Sequence, residues 1–245
     1  MGFWKDTVFR SPPVQKRHSR LAFAHCQPFP PMFILTETNS IANHFVAELR
    51  DVAVQQDSMR FRRNMERIGE ALAYEISKTL AYKPAQVTTP LGVSDTFLLE
   101  RQPVLATILR AGLPLYQGFA NVFDKAESAF VGAFRGKPKT DYTFEVEMHY
   151  MAMPDLEGKT LILIDPMLAT GKSVIRTLTA LRPYGKPAQI HLASAIATRE
   201  GIGYVRQYFP DCHFWTAAVD ESMNRKFYII PGLGDAGDLA FGEKM

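Results

Sequence analysis

The sequence predicts an α/β domain with a mostly parallel, twisted sheet flanked by helices on both faces, and three observations carry that reading. Five short aliphatic runs, at 104–109, 129–134, 161–164, 190–196 and 214–219, are separated by helical or loop segments, the rhythm of strands joined by crossovers. The run at 161–164 is apolar without alternation, as a strand covered on both faces is. The chain has 245 residues, 47% of them hydrophobic, enough for one domain with a sizeable core.

The elements follow in order. Helices are expected at 41–50 and 59–80, the second carrying Phe61, Met65, Ile68, Leu72, Ile76 and Leu80 on one stripe. Such a stripe most simply covers a core, with a subunit contact as the alternative. The strand at 104–109 runs into Ile-Leu-Arg-Ala-Gly-Leu-Pro at 108–114, and the strand at 129–134 ends at Arg135. Between Arg135 and Pro154 the chain is polar and irregular, with Gly136, Pro138 and mixed charges, and reads as a loop.

The strand at 161–164 stops at Asp165 and opens into Pro166, Met167, Leu168, Ala169, Thr170, Gly171, Lys172 and Ser173. After it, Val174, Ile175, Leu178 and Leu181 recur at helical spacing. A turn from a buried parallel strand into a helix presents free N–H groups and the positive end of the helix dipole to an anion. A carboxylate at that strand end would repel the anion unless it has another task, such as accepting hydrogen bonds from ribose hydroxyls. Phosphate and sugar together point to a ribose 5-phosphate. A Walker-type phosphate loop is excluded, because Pro166 stands where that motif needs a glycine.

Near the C-terminus, Gly232, Gly234 and Gly237 match G-x-G-x-x-G by letter. A dinucleotide site also needs an acid about 20 residues on, and the chain ends at Met245. The remaining reading is a glycine-rich loop stiffened by Pro231, whose main chain approaches a flat ligand closely because glycine has no Cβ. Such a loop suits the edge of a pyrimidine.

Four stretches, in order, resemble uracil phosphoribosyltransferases: residues 108–114, Gly-Ala-Phe-Arg at 132–135, Asp-Pro-Met-Leu-Ala-Thr-Gly at 165–171, and Tyr-Ile-Ile-Pro-Gly-Leu-Gly-Asp-Ala-Gly-Asp at 228–238. The similarity runs from about Met32 to Lys244. It implies the type I phosphoribosyltransferase fold, with a small hood on the C-terminal side and a flexible flap over 135–154. It also implies a pentosyltransferase of pyrimidine salvage (EC 2.4.2.9) that makes UMP and diphosphate from uracil and 5-phosphoribosyl 1-diphosphate (PRPP).

Carried over by position, the resemblance gives Asp165 through Ser173 the ribose hydroxyls and 5-phosphate, and Arg110 and Arg135 the diphosphate. Uracil would lie against Ile229 and the turn of Gly234, Asp235 and Ala236, with Tyr228, Met167 and Ala169 as walls. Asp235 would also face the sugar diphosphate or its Mg2+. That ion would be held by substrate oxygens rather than by direct protein ligands, as suits a cation that keeps its waters. The catalytic set is then Asp165, Arg110, Arg135 and Asp235. Breaking the bond from anomeric carbon to diphosphate places positive charge on the ribose and negative charge on the leaving group, so positioning and charge stabilisation suffice without a covalent nucleophile. Uracil N1 loses a proton as it attacks; Asp235 is the nearest candidate base, and a solvent route stands beside it.

Two departures from the family pattern are visible. Lys172 replaces the second glycine of the usual Thr-Gly-Gly-Ser loop, and Phe134 stands where a tyrosine often precedes the arginine. The resemblance further implies a homo-oligomer, dimer or larger, and in some relatives a GTP effector. Two alternatives stay open: a regulator on the same fold that binds RNA, and a phosphoribosyltransferase for another base. An RNA binder needs a basic surface with exposed aromatics, whereas orotate wants a cation for its carboxylate, with Arg225 and Lys226 just upstream of the base loop.

Residues 1–31 differ in kind, with Lys5, Arg10, Lys16, Arg17 and Arg20 against the single acid Asp6, and five prolines. The remainder carries 23 basic and 24 acidic residues, so the net charge of +3 originates in this arm and says little about nucleic acid. The expected organisation is an extension over 1–31, disordered or upstream of a natural start at Met32, followed by a catalytic domain over 32–245. A targeting peptide is the rival reading. No run of ~18 apolar residues is present, and the expected location is cytoplasmic. Cys26 and Cys212 are too few and too isolated for a disulfide framework or a zinc site.

Overall fold

The computed structural model describes residues 30–135 and 146–243, with side chains left aside at 133–135 and 146–149. Residues 1–29 of the expected extension over 1–31 and the middle of the expected flap therefore lie outside the described residues.

A short strand β1 (Phe33–Ile34) leads to α1 (Ala42–Arg50) and α2 (Ser58–Ser77). Asp57 caps α2, its side chain accepting from the Met59 and Arg60 N–H groups, which satisfies donors that the first helical turn leaves open. Phe61, Met65, Ile68, Leu72 and Ile76 are all within 1% of full burial, so the predicted stripe is core. The helix stops at Ser77, short of the expected end, and Leu80 packs against the same core from beyond it.

An antiparallel hairpin follows, β2 (Tyr82–Thr89) paired with β3 (Gly92–Leu99). It is joined to neither of the other sheets among the described residues. Then come β4 (Val104–Leu109), α3 (Leu113–Val122), β5 (Glu127–Arg135) and β6 (Val146–Ala152). The second half holds β7 (Thr160–Ile164), β8 (Met167–Leu168), α4 (Lys172–Ala180), β9 (Gln189–Thr198), α5 (Arg199–Tyr208) and β10 (His213–Asp220). A small outlying pair, β11 (Ser222–Met223) and β12 (Ile229–Ile230), precedes α6 (Ala236–Phe241).

Among the described residues the main sheet runs β1-β10-β9-β7-β4-β5-β6, with β8 added to β9. Its pairs are parallel except β5 with β6. All five aliphatic runs form strands of this sheet, and α2, α3 and the C-terminal segment contribute to the core on one face while α4 and α5 cover the other. Part of the segment expected as an irregular flap is strand β6, which continues the sheet antiparallel to β5.

From β4 the chain moves outward to β5, and later returns to β7 on the other side of β4. The order of strands thus reverses between β4 and β7, and the crevice beyond their carboxyl ends is where open α/β sheets receive ligands. Thr107 spans this point, its hydroxyl donating to the Ile164 carbonyl at 3.2 Å.

Candidate active site

A cavity of about 750 Å³ opens over that crevice. Its floor comes from the end of β4 and the residues after it (Ile108, Leu109, Arg110, Ala111), one side from the segment after β7 (Asp165, Pro166, Met167, Ala169, Ser173), and the other from Phe227, Tyr228, Ile229, Gly234, Asp235, Ala236 and Gly237. Segments separated by more than a hundred residues meet here because each leaves its strand or precedes its helix on the same edge of the sheet.

The phosphate side is built from one continuous stretch. Gly171 takes φ +75° as the residue before α4, a conformation that side chains with a Cβ disfavour. The Gly171 position offers no side chain to cap α4; the Thr170 hydroxyl accepts from the Lys172 N–H at 3.4 Å, and the next N–H groups of the first turn remain for an anion. The loop is pinned to β9 and α5 beneath it. The Pro166 carbonyl accepts from the Ala195 and Ile196 N–H groups at 3.1 Å, and the Ala169 carbonyl accepts from the Thr198 hydroxyl at 2.6 Å. Gly201 lies against that same carbonyl, where a Cβ would collide with it. Leu168 is 2% exposed and belongs to the core. Thr170, Gly171 and Lys172 stand at the helix start and do not line the cavity wall.

The opposite side is assembled from distant parts. Asp220, 6% exposed at the end of β10, receives both terminal nitrogens of Arg50 at 2.8 Å and the Gly232 N–H at 2.9 Å. Arg50 also donates to the Gly232 carbonyl at 3.0 Å. This network fastens the loop that carries Ile229 and Gly234, in which the Ile230–Pro231 peptide is cis. Asn224 folds the turn ahead of it, its side-chain oxygen accepting from the Lys226 and Tyr228 N–H groups at 2.8 and 3.0 Å. Phe227 has φ +61° in this turn. Asp235 caps α6, its Oδ1 accepting from Gly237 and Asp238 N–H at 2.9 and 3.0 Å. Arg62 donates to the Ala240 carbonyl at 2.6 Å.

Of the residues singled out from the sequence, Arg110, Asp165, Pro166, Met167, Ala169, Ser173, Tyr228, Ile229, Gly234, Asp235 and Ala236 line one cavity. The Arg135 side chain lies outside the described residues. Arg110 forms an ion pair with Asp238 at 2.8 Å. Lys172 holds its ammonium 5.9 Å from the centre of the Phe227 ring, above its face. Arg225 and Lys226 are exposed and line no part of the cavity. Sequence reading passed over Phe227 and the anchors Arg50, Asp220 and Asn224; the acid closing the aliphatic run of β10, as Asp165 closes β7, was the available signal for Asp220.

The donor set fits a magnesium ion that arrives on a diphosphate. Asp165 and Asp235 line the cavity, and carboxylates there can meet such an ion through its waters. No helix among the described residues is long and apolar enough to cross a membrane.

Comparison with known proteins shows the family. The family model for uracil phosphoribosyltransferase matches residues 36–243. A uracil phosphoribosyltransferase of Porphyromonas gingivalis is 50% identical over 208 residues, covering 84% of this chain and 96% of that protein. One of Pyrococcus furiosus is 39% identical over 201 residues, covering 81% and 84%. The solved structure of the AQ2163 protein from Aquifex aeolicus superposes with a TM-score of 0.75 at 31% identity, covering 84% of this chain and 96% of that one.

Proposed function

The chain belongs to the uracil phosphoribosyltransferase family, and from that premise we propose how its residues carry the reaction. It is a pentosyltransferase that converts uracil and PRPP to UMP and diphosphate. The observation that carries the assignment of roles is the shared cavity, in which Ala169 and Ser173 beside the helix start, Asp165 and a glycine-rich loop line one space at the switch point of the sheet.

The N–H groups at the start of α4 hold the 5-phosphate, and Asp165 accepts from the ribose hydroxyls. Arg110 and Arg135 hold the diphosphate through their charge and the guanidinium N–H groups left free. Uracil lies against Ile229 with its polar edge on the main chain of Gly234, Asp235 and Ala236, enclosed by Tyr228, Met167 and Ala169. As the anomeric C–O bond breaks, Asp165 faces the charge developing on the ribose and the arginines face the departing oxygens, with donors and acceptors fixed in advance. Uracil N1 forms the new bond, its proton leaving to Asp235 or to solvent. Asp235, through water, is the residue that would meet Mg2+, which when bound with the substrate would supply neutralisation of the leaving group.

Four further expectations belong to this proposal. The unit is the catalytic domain over 32–245, located in the cytoplasm. GTP acts as effector in the manner of some relatives. The chain is a homo-oligomer, supported by the β2–β3 hairpin, which exposes Leu91, Val93, Phe97 and Leu98 although lone two-stranded hairpins are marginal in water. Light scattering of the intact protein and of a hairpin-deleted variant tests that point: a monomer in both refutes it.

The test of the reaction is chromatography of products from protein, Mg2+, PRPP and an equimolar panel of uracil, orotate, cytosine, hypoxanthine and adenine, with and without GTP. UMP as sole product is the expected result. OMP would overturn the base assignment, and no nucleotide from any base would favour the regulator reading.

A further inference from the structure

We propose that Asp238 is a positioning residue for the transfer, which together with the Phe241 and Gly242 carbonyls seats the Arg110 guanidinium at the diphosphate side of the cavity. The inference rests on the assignment of Arg110 to the diphosphate and extends it to the residues that aim it.

Arg110 directly follows β4 and lines the cavity, yet its head is held by the far C-terminal segment. Nη2 donates to Asp238 Oδ1 at 2.8 Å and to the Gly242 carbonyl at 2.6 Å, and Nη1 donates to the Phe241 carbonyl at 3.4 Å. The Phe241 and Gly242 carbonyls sit at the negative end of α6, where a cation is favoured, while Asp238 reaches the guanidinium from the first turn. Three of the five guanidinium N–H groups are thereby engaged. Nε is shielded from solvent with no partner among the described residues. It lies beside Gly237, where an added Cβ would stand 3.8 Å away. A guanidinium fixed through part of its donor set presents the rest in one orientation, the arrangement that favours charge developing on a leaving group.

Asp238 does not line the cavity, so its route to the reaction is through Arg110. Its removal leaves α6 anchored by other means: Asp235 caps one end and Arg62 holds the Ala240 carbonyl. The seat also ties the two substrates together physically, because α6 begins at the base-reading turn and ends at the arginine's acceptors.

Steady-state kinetics on Asp238→Ala, Asp238→Asn, Asp238→Glu, Arg110→Ala and the Asp238→Ala/Arg110→Ala pair tests this. Asp238→Ala is expected to raise the KM for PRPP about tenfold, with the KM for uracil within about twofold and the effect absent in the Arg110→Ala background, as coupled neighbours require. Asp238→Glu is expected to recover part of the loss. The proposal is overturned if both KM values move together, if the PRPP effect persists in full without Arg110, or if KM for PRPP falls, which would make Asp238 a competitor. An Arg110→Ala enzyme with unchanged KM for PRPP would instead remove the assignment of Arg110 itself. Should Asp238→Ala fail to fold, Asp238→Asn carries the same comparison.

Discussion

The two walls of the cavity are made in opposite ways. The phosphate wall is a single stretch from Asp165 to Ser173, shaped by its own strand, a left-handed glycine and a helix start and pinned from beneath by the neighbouring β9 and α5. The base wall, residues 222–242, is held down by Arg50, Arg62 and Arg110, which come from three distant elements. An anion site needs little more than N–H groups at a strand-to-helix turn, so it can be local. A loop with short strands and a six-residue helix buries too little of itself to hold its shape, and long-range ion pairs and carbonyl contacts supply the rest.

The comparison predicts separable failures. The largest effect is expected from Arg50→Ala, which leaves the buried Asp220 carboxylate without its partner at a cost of about 3 kcal/mol. Urea unfolding should show that loss, and the KM for uracil should rise more than that for PRPP. An equal rise in both would mean that the base wall is not an independent unit.

Acid, by contrast, should weaken the scaffold under both walls. His191 is 1% exposed and its Nδ1 accepts from the Trp215 indole at 3.0 Å; burial first, and the nearby His213 second, pushes its pKa down to about 3. The unfolded chain then binds a proton below about pH 6.5 that the folded one refuses, so stability is lost as pH falls from about 6.5 toward 3, at about 1.4 kcal/mol per unit. Urea unfolding at pH 6.5 and 4.5 checks this, with His191→Gln expected to lose about 2.3 kcal/mol less across that interval.

On the phosphate wall, Asp165→Asn should lower kcat/KM at least about tenfold, or about 1.4 kcal/mol of transition-state stabilisation. Unchanged kinetics would remove Asp165 from the ribose. The smallest effect is expected from Thr198→Val, which deletes both the hydrogen bond to the Ala169 carbonyl and the cap on α5, about 1 kcal/mol. Its KM should rise for PRPP alone.

Cys212 sharpens the same division from outside the cavity. It is 1% exposed, and burial pushes its thiol up to about 12, so it behaves as a small core residue under α5.

The strands and the phosphate loop were legible because their signals are local. Continuous aliphatic runs can only be strands or helices buried on all sides, and the acid, glycine and hydroxyl residues between β7 and α4 lie within nine positions of one another. The glycines and proline of the C-terminal loop were also local signals, and family resemblance then added Arg110 and the roles of Tyr228, Ile229, Asp235 and Ala236. The hairpin β2–β3 was not legible, since its residues are mostly exposed and show no buried face whose alternation would mark it. Part of the expected flap became β6 because pairing with β5 overrode a polar composition.

By itself, then, the sequence determined the α/β class, the core stripe of α2 and the anion cradle after β7, because each depends on neighbours a few residues apart. Only the tertiary structure decided which arginines hold the base wall. Arg50, Arg62 and Arg110 look alike in one dimension, and each takes its acceptor from a segment more than a hundred residues away. The geometry of such a contact belongs to the packed sheet and helices, not to the residues on either side of it.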